Sequence, residues 1–278
     1  MVLEGEIEDL TSAQLKRAIA GRDIDETEKK IVEKKDAETV LSIKGVCNSK
    51  LKDVSLELKK GEVLGVYGLR GSGRTELLKT IYGLMEATKG SVTFQGKDIL
   101  KLPISKRADM GIGFVPESRI EGCMDCRPIR DNLFISSMKS NLNKLKLIDR
   151  GKENKKYAKI KEEFEVKAES LDSEIGYLSG GNKQKIMFAR CRAMNSTLYL
   201  VDEGTKGIDI GTKYEIYSLM DDLAKSGDSF IYTSSDLDEI CTVSQRIIVL
   251  YNGEIVAELQ RKEFKKELLL HHADGNRQ

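Results

Sequence analysis

An almost continuously apolar segment leads into a glycine-rich loop and then into a helix, and this succession constrains the fold more than any other feature. The apolar segment is Val63–Tyr67, and we predict that the helix covers Thr75–Leu84. A short apolar run of this kind is typical of a strand buried on both faces of a parallel sheet. A strand that continues through a loop into a helix begins a crossover to a parallel neighbour. The sequence therefore predicts an α/β fold.

Other strand candidates alternate with helices along the chain. Two β-rich stretches, Val40–Lys44 and Val54–Leu58, come before the apolar strand. Later candidates are Ser91–Phe94, Ile112–Val115, Thr197–Val201, Ser229–Thr233 and Arg246–Leu250. This alternation predicts a mostly parallel sheet covered by helices. No comparable strand occurs between residues 115 and 197, and Asn132–Lys167 has a charged helical pattern, so we expect an inserted helical subdomain over about residues 118–190.

Composition excludes several classes of function. The only histidines are His271 and His272, so Ser-His-Asp triads and histidine zinc sites are excluded from the body of the chain. Lys and Arg number 46 against 45 Asp and Glu, which leaves no basic excess for a nucleic-acid partner. The first ten residues include four acidic ones and resemble no signal peptide. No apolar run approaches the roughly 18 residues of a membrane span, so we expect a cytosolic chain with reduced cysteines.

The glycine-rich loop has the spacing of a phosphate-binding loop. Its glycines allow backbone N–H groups to converge on phosphate oxygens at a helix N-terminus. Thr75 would place a hydroxyl on a magnesium ion. Arg74 stands where this motif has lysine, and its larger planar guanidinium is expected to position a γ-phosphate poorly. Alone, the motif also fits an ordinary glycine turn. The candidate nucleotide-binding residues are Gly68, Leu69, Arg70, Gly71, Ser72, Gly73, Arg74, Thr75 and Glu76.

A second motif lies at the end of another apolar strand. Leu198–Val201 is followed by Asp202 and Glu203, an arrangement that puts one carboxylate on magnesium and the next beside an attacking water. Upstream, a helix begins after the sequence Leu178, Ser179, Gly180, Gly181 and Asn182.

In their order and spacing these motifs resemble those of the ATP-binding subunits of ABC transporters. Gly68–Thr75 is similar to the family's Walker A loop, Leu178–Gly181 to its LSGG signature, and Leu198–Glu203 to its Walker B strand. The resemblance implies a P-loop NTPase fold of ABC type, with a mostly parallel core sheet, an antiparallel β subdomain and the inserted helical subdomain.

The resemblance narrows to the second ATPase half of tandem monosaccharide importers of the ribose, galactose and xylose group. It implies that residues 1–39 are the tail of a preceding ATPase half and a linker, and that residues 40–278 are the nucleotide-binding domain. This chain would then be one half of a longer protein, although a separate half-subunit remains an alternative. Purine nucleoside importers share the tandem layout and are the alternative for the transported substrate.

Several positions depart from the family's pattern. Glu117 is nearest to the position of a glutamine that touches magnesium, and Ser235 occupies the position of a switch histidine. A hydroxyl lacks the positive charge with which a histidine would stabilise a transferred phosphoryl group. No aromatic residue lies between Gly45 and Lys50, where the family often stacks adenine. Asp209 matches a loop that communicates between paired domains.

Together the resemblance and the departures imply a division of labour. ABC domains pair so that each ATP, with its magnesium ion, lies between the Walker A loop of one domain and the signature of the other. We expect the signature here, Leu178–Asn182, to act on a partner half's ATP while the chain's own site hydrolyses poorly. The implied partners are that ATPase half and transmembrane permease subunits at the inner face of the cell membrane, with no nucleic acid and no direct sugar binding. The alternatives are a non-hydrolytic regulatory domain and an ABC ATPase acting on ribosomes or DNA.

Overall fold

A computed structural model describes residues 37–275 of the chain. The predicted tail and linker, residues 1–39, lie outside this range except for the last three residues. Within it, no helix is both long and apolar enough to cross a membrane. The strands are β1 Thr39–Cys47, β2 Val54–Lys59, β3 Val63–Tyr67, β4 Lys89–Phe94, β5 Lys97–Asp98, β6 Ile112–Val115, β7 Leu198–Asp202, β8 Ser229–Thr233, β9 Arg246–Tyr251 and β10 Glu254–Gln260. The α-helices are α1 Arg74–Tyr82, α2 Ile104–Asp109, α3 Arg119–Gly122, α4 Ile129–Phe134, α5 Arg150–Glu163, α6 Gly180–Ala193, α7 Ile210–Lys225, α8 Leu237–Val243 and α9 Lys266–Ala273.

The core sheet is mostly parallel, which confirms the predicted fold class. Its strand order is β10-β9-β3-β8-β7-β6, and every neighbouring pair except β10 and β9 is parallel. The strand β3 lies inside the sheet and is buried along its whole length. Its side chains alternate between two apolar clusters, with Leu64 and Val66 on one face and Val63 and Tyr67 on the other. Burial on both faces explains why this segment is apolar throughout.

A separate antiparallel sheet covers one side of the core. Its strand order is β2-β1-β4-β5, and each pairing is antiparallel. The polar residues of β2 alternate with buried ones, as expected for a sheet with one solvated face. The apolar cluster on its inner face also contains α1, through Leu77, Leu78 and Ile81. The antiparallel sheet is therefore built onto the helix that follows the glycine-rich loop.

Helices α3–α6 lie between β6 and β7, where the sequence predicts a helical insert. The predicted continuous helical pattern of Asn132–Lys167 is wrong in its middle. After α4, a 3-10 helix covers Ile135–Asn141 and a turn precedes α5. The turn forms because the Asn143 side chain accepts hydrogen bonds from the backbone N–H groups of Leu145 and Leu147, which competes with helix formation.

The sequence did not predict β5, β10 or α9. β5 is a two-residue edge strand, β10 forms an antiparallel hairpin with β9, and α9 covers Lys266–Ala273. The helix α9 includes both histidines of the chain, His271 and His272. The helix is held because Leu269 and Ala273 are fully buried in the core.

Arg107 on α2 joins the antiparallel sheet region to α1. Its buried guanidinium donates to the carbonyls of Thr80 and Ile81 near the end of α1, at 2.8 and 2.7 Å. It also donates to the carbonyls of Leu100 and Leu102, at 2.7 and 2.9 Å. Burial lowers the pKa of this guanidinium. One cation thus satisfies four carbonyl groups, and two of these lie in the last turn of α1, where carbonyls have no partner within the helix.

We expect Arg107→Met to lower the free energy of unfolding by about 2–4 kcal/mol, because a charged donor to four carbonyls is lost from a buried position. Urea denaturation measures the change. Arg127→Met is the matched control, because Arg127 is exposed and, among residues 37–275, pairs only with Asp131 one helical turn away. Such pairs contribute less than about 1 kcal/mol. Equal losses in the two variants would contradict the role given to Arg107.

Candidate functional site

The glycine-rich loop connects β3 to the first turn of α1. Gly73 precedes the helix with φ of 110°, a left-handed conformation that side chains rarely adopt. At Gly68 a Cβ atom would lie 2.4 Å from the Leu250 carbonyl oxygen and 2.5 Å from Ser72 Oγ. Glycine is therefore required at Gly68 for close packing and at Gly73 for backbone geometry.

Polar atoms of the loop fit an anionic ligand. Ser72 Oγ and Arg74 Nη1 are buried and have no hydrogen-bond partner within residues 37–275. The outer residues of the loop, Leu69–Gly71, are exposed. The first N–H groups of α1 have no acceptors inside the helix, and the helix dipole adds positive potential there. The predicted phosphate-binding loop therefore has unsatisfied donors beside a solvent-accessible face.

Thr75 and Asp202 come together, as the predicted magnesium site requires. Asp202 ends β7, where it is buried and accepts a hydrogen bond of 2.7 Å from Thr233 Oγ1. Burial raises the pKa of Asp202, while hydrogen bonds from the Thr233 and Thr75 hydroxyls oppose that rise. A hydroxyl and a carboxylate are oxygen ligands that suit Mg²⁺, which usually keeps several of its waters.

Glu203 is held on both of its carboxylate oxygens. Arg74 Nη2 lies 3.0 Å from Oε1 of Glu203, and the two side chains are only 12% and 8% exposed. Ser235 Oγ donates to Oε2 at 3.2 Å. The Glu203 N–H donates to the Thr233 carbonyl at 3.1 Å, and the residue has a left-handed φ of 50°. Arg74, Glu203 and Ser235 therefore form one cluster. The sequence predicted them as an unusual loop cation, a water-orienting base and a replacement for a histidine.

Glu117 lies at the edge of this cluster. It is partly exposed and forms an ion pair of 2.5 Å with Lys206. Its charge is close enough to Asp202 to favour that residue's protonated form and so contribute to the raised pKa. The backbone carbonyl of Lys206 accepts a bond of 3.1 Å from Arg119. Sequence reasoning assigned no role to Lys206, because no motif marks it.

The signature residues lie at the exposed N-terminus of α6. Ser179 caps this helix, and its Oγ accepts hydrogen bonds from Asn182 N and Nδ2 at 3.3 and 3.0 Å. Leu178 packs against the core, while Ser179 is exposed. At Gly181 a Cβ atom would lie 2.5 Å from the Thr212 side chain, which explains the glycine. Within residues 37–275, no hydrogen bond or ion pair joins residues 178–182 to the glycine-rich loop.

Asp209 lies in the segment that connects the cluster to α7. It caps this helix by accepting a hydrogen bond of 2.9 Å from Thr212 N. That backbone hydrogen bond is the main reason why the pKa of Asp209 is lowered. Because Thr212 also packs on Gly181, the predicted inter-domain loop and the signature meet at the same place.

A buried carboxylate that the sequence did not reveal lies behind the site. Glu239 accepts hydrogen bonds from the hydroxyls of Tyr217, Tyr232 and Ser234, at 3.0, 2.5 and 2.6 Å. It also accepts one from Thr205. The carboxylate thereby fixes the segment that follows Glu203, through Thr205, and the segment that precedes Ser235, through Tyr232 and Ser234. Its donors are distant in sequence and form no motif, so only the fold identifies them.

Comparison with known proteins gives related sequences. A sequence profile described as ABC transporter matches residues 51–206. The ribose import ATP-binding protein of Clostridium perfringens strain 13 is 36% identical over 272 residues, which are 97% of this chain and 54% of that protein. The ribose import ATP-binding protein of Halalkalibacterium halodurans is 37% identical over 224 residues, which are 80% of this chain and 45% of that protein. The chain spans about half the length of these relatives.

Solved structures show the same fold at low identity. An ATP-binding cassette of an ABC transporter in its ADP conformation has a TM-score of 0.73 at 23% identity, covering 84% of this chain and 95% of that one. A dimeric cassette in a post-hydrolysis state, bound to ADP and phosphate, has a TM-score of 0.70 at 23% identity, covering 81% of this chain and all of that one.

The environment of Tyr232 predicts a pH dependence of stability. Burial, reinforced by Glu239, raises the pKa of Tyr232 well above its ordinary value. In the unfolded chain the tyrosine loses its proton at about pH 10. In the folded chain it still holds its proton at that pH. Stability is therefore fully present below that pH and declines above it, by up to about 1.4 kcal/mol per pH unit for one proton.

We expect Tyr232→Phe to make this decline shallower, because the substituted side chain has no proton to lose. Urea unfolding across about pH 9 to 11 measures the slope. Tyr177→Phe is the control, since Tyr177 is exposed. An unchanged slope in Tyr232→Phe would contradict the assignment.

Proposed function

The chain belongs to the ABC transporter family, and on that premise we propose that it is the second ATPase half of a sugar importer, with a poorly hydrolytic site of its own. Its signature completes the ATP site of a partner ATPase half. The named relatives are ribose import ATP-binding proteins, and the chain corresponds to about half of each. This ratio supports pairing with a second ATPase half, either in the same protein as in a tandem arrangement or in a separate subunit.

One observation carries the proposal of a weak site: Glu203 is bound by Arg74 and Ser235 at both carboxylate oxygens. A carboxylate that orients an attacking water needs a free oxygen directed at that water. Here the residue in the lysine position of the loop neutralises it, and the residue in the histidine position occupies its second oxygen. The residues that replace the family's lysine and histidine thus restrain the base.

Binding does not require that base. The unsatisfied donors of Ser72 and Arg74 and the N-terminus of α1 are suited to hold phosphate oxygens. Thr75 and Asp202 are the residues that would hold magnesium, which when bound neutralises phosphate charge. ATP with magnesium is therefore expected to bind at this loop and to turn over slowly.

The exposure of the signature supports the proposed action on a partner. Ser179 is exposed at the N-terminus of α6 and has no bond to the chain's own loop among the described residues. Its hydroxyl and the N–H groups of Gly180 and Gly181 can receive a γ-phosphate held by a second domain. Asp209 fixes the neighbouring segment on α7. We place the assembly on permease subunits at the inner face of the membrane, where this chain contacts neither sugar nor nucleic acid.

The binding of Glu203 also favours a second candidate, a regulatory domain that binds nucleotide at sites where neither half hydrolyses it. The two candidates differ in whether the intact signature supports turnover by the partner. The transported substrate, a monosaccharide or a purine nucleoside, is a property of other subunits.

The composite site is tested in a chimaera in which this chain replaces the matching half of the Clostridium perfringens relative. We expect the chimaera to hydrolyse ATP and the isolated chain to be at least about 100-fold slower, since one missing set of phosphate donors raises a barrier by about 2.7 kcal/mol.

Ser179→Arg should reduce the chimaera to the rate of the isolated chain, whereas Ser136→Arg, at an exposed site in the same subdomain, should not. Fast turnover by the isolated chain, or indifference of the chimaera to Ser179→Arg, would contradict the proposal.

The restraint on Glu203 predicts a gain of function. Arg74→Lys with Ser235→His should free the carboxylate and supply the usual cation and imidazole, raising phosphate release by the chain's own site at least tenfold, or about 1.4 kcal/mol in barrier. Glu203→Gln added to that pair should remove the gain. The exposed pair Arg127→Lys with Ser136→His is the control. If the gain persists without Glu203, the restraint is not the cause of slow hydrolysis.

A further inference from the structure

A tight turn between the 3-10 helix and α5 of the helical insert is closed by a bridge and several hydrogen bonds. Leu142 and Ile148 form an antiparallel bridge across it. The Asn143 N–H donates to the Leu147 carbonyl at 2.8 Å, and the Lys146 N–H donates to the Asn143 carbonyl at 3.0 Å. The Asn143 side chain accepts from the N–H groups of Leu145 and Leu147 at 2.8 and 3.0 Å. We call residues 142–148 the lysine-leucine turn.

The base of the lysine-leucine turn is also anchored. Asp149 N donates to the Asn141 carbonyl at 2.8 Å. Lys152 Nζ donates to the Leu142 carbonyl at 2.9 Å, and Lys156 Nζ donates to Ser140 Oγ at 2.9 Å. These hydrogen bonds connect both ends of the turn to the neighbouring elements.

This turn exposes apolar side chains to solvent. Leu145 is 78% exposed, Leu147 62% and Ile148 41%. Met138 and Ile135, on the preceding 3-10 helix, are also exposed. Single exposed apolar residues are ordinary, but a cluster on one feature marks an interaction site.

The charge around these apolar side chains is positive. Lys144 and Lys146 alternate with the leucines, and Lys139 is nearby on the preceding helix, all of them exposed. The acidic residues close by are engaged: the Asp149 carboxylate caps α5, and the buried Glu153 carboxylate pairs with Arg130 and Arg150. The turn therefore presents apolar groups within a cationic rim.

We propose that the lysine-leucine turn docks on a membrane surface that contains anionic phospholipid. Exposed leucine side chains can enter the boundary between headgroups and acyl chains, and lysine ammonium groups on flexible stems can remain among the anionic headgroups. Apolar insertion and cationic attraction are each weak alone, and reversible membrane binding needs both. An acidic protein groove would also fit the charge, but alternating exposed Lys and Leu side chains favour a lipid surface, which accommodates both kinds of group at once.

The inference does not depend on hydrolysis, so its test needs no nucleotide. The probe is a set of vesicles of phosphatidylcholine with about one third phosphatidylglycerol, to which the whole 278-residue chain is added. Co-sedimentation measures the fraction bound. We expect binding that weakens at least tenfold in pure phosphatidylcholine vesicles, and also when salt rises from about 0.1 to about 0.5 M.

Two variants separate the two contributions. Lys144→Glu with Lys146→Glu should reduce binding at least tenfold, because each lysine near an anionic surface contributes a factor of about five. Leu145→Ser with Leu147→Ser should also reduce it at least tenfold. The matched controls are Lys97→Glu with Lys101→Glu, and Leu84→Ser with Ile120→Ser, at exposed positions elsewhere; both should bind as the unchanged chain does. Circular dichroism and urea unfolding confirm that each variant is folded.

Several outcomes would overturn the proposal. These are no binding to anionic vesicles, equal binding to neutral ones, loss of binding in the control variants, and indifference to the leucine substitutions. Binding to soluble polyglutamate with the same dependence on the turn, but not to vesicles, would assign the surface to an acidic protein instead. The chimaera's ATPase rate in solution should be unchanged by the turn variants, so failure of membrane docking and failure of the composite site are distinguishable.

Discussion

Three carboxylates, those of Asp202, Glu203 and Glu239, are buried at or beside the carboxyl ends of β7 and β8. A buried charge is unfavourable unless it is paired or accepts hydrogen bonds. Most of the polar side chains described around the site pair with these carboxylates or donate hydrogen bonds to them. Hydroxyl groups satisfy Asp202 and Glu239, and Arg74 is the only cation that pairs with any of the three within the described residues.

This distribution of partners has a functional meaning. Asp202 has hydroxyl donors and no paired cation among the described residues, so its carboxylate charge would remain available to a metal ion. The guanidinium on Glu203 does the opposite, since it and Ser235 together engage both oxygens. Glu239 then holds the two flanking segments in place. This arrangement is the basis on which we propose a site that binds nucleotide but restrains its base, in a domain that contributes mainly its signature at α6.

Much of the fold could be predicted because local patterns are strong at the relevant positions. The burial of β3 on both faces makes Val63–Tyr67 apolar, and the glycines of the loop are required by backbone geometry and close packing. The hairpin strand β10 and the helix α9 were missed because their burial depends on packing against β9 and the core. The break before α5 was missed because it follows from hydrogen bonds of a single side chain, Asn143.

The sequence alone predicts a set of chemical groups: a loop for phosphate, a hydroxyl and a carboxylate for magnesium, a complete signature, and substitutions at the lysine and histidine positions. The tertiary structure determines which of these groups are in contact. Arg74, Glu203 and Ser235 follow three different strands, and they come together because β3, β8 and β7 are neighbours in that order in one parallel sheet. Side-chain pairing between such strand ends depends on sheet order, and local sequence carries no record of it.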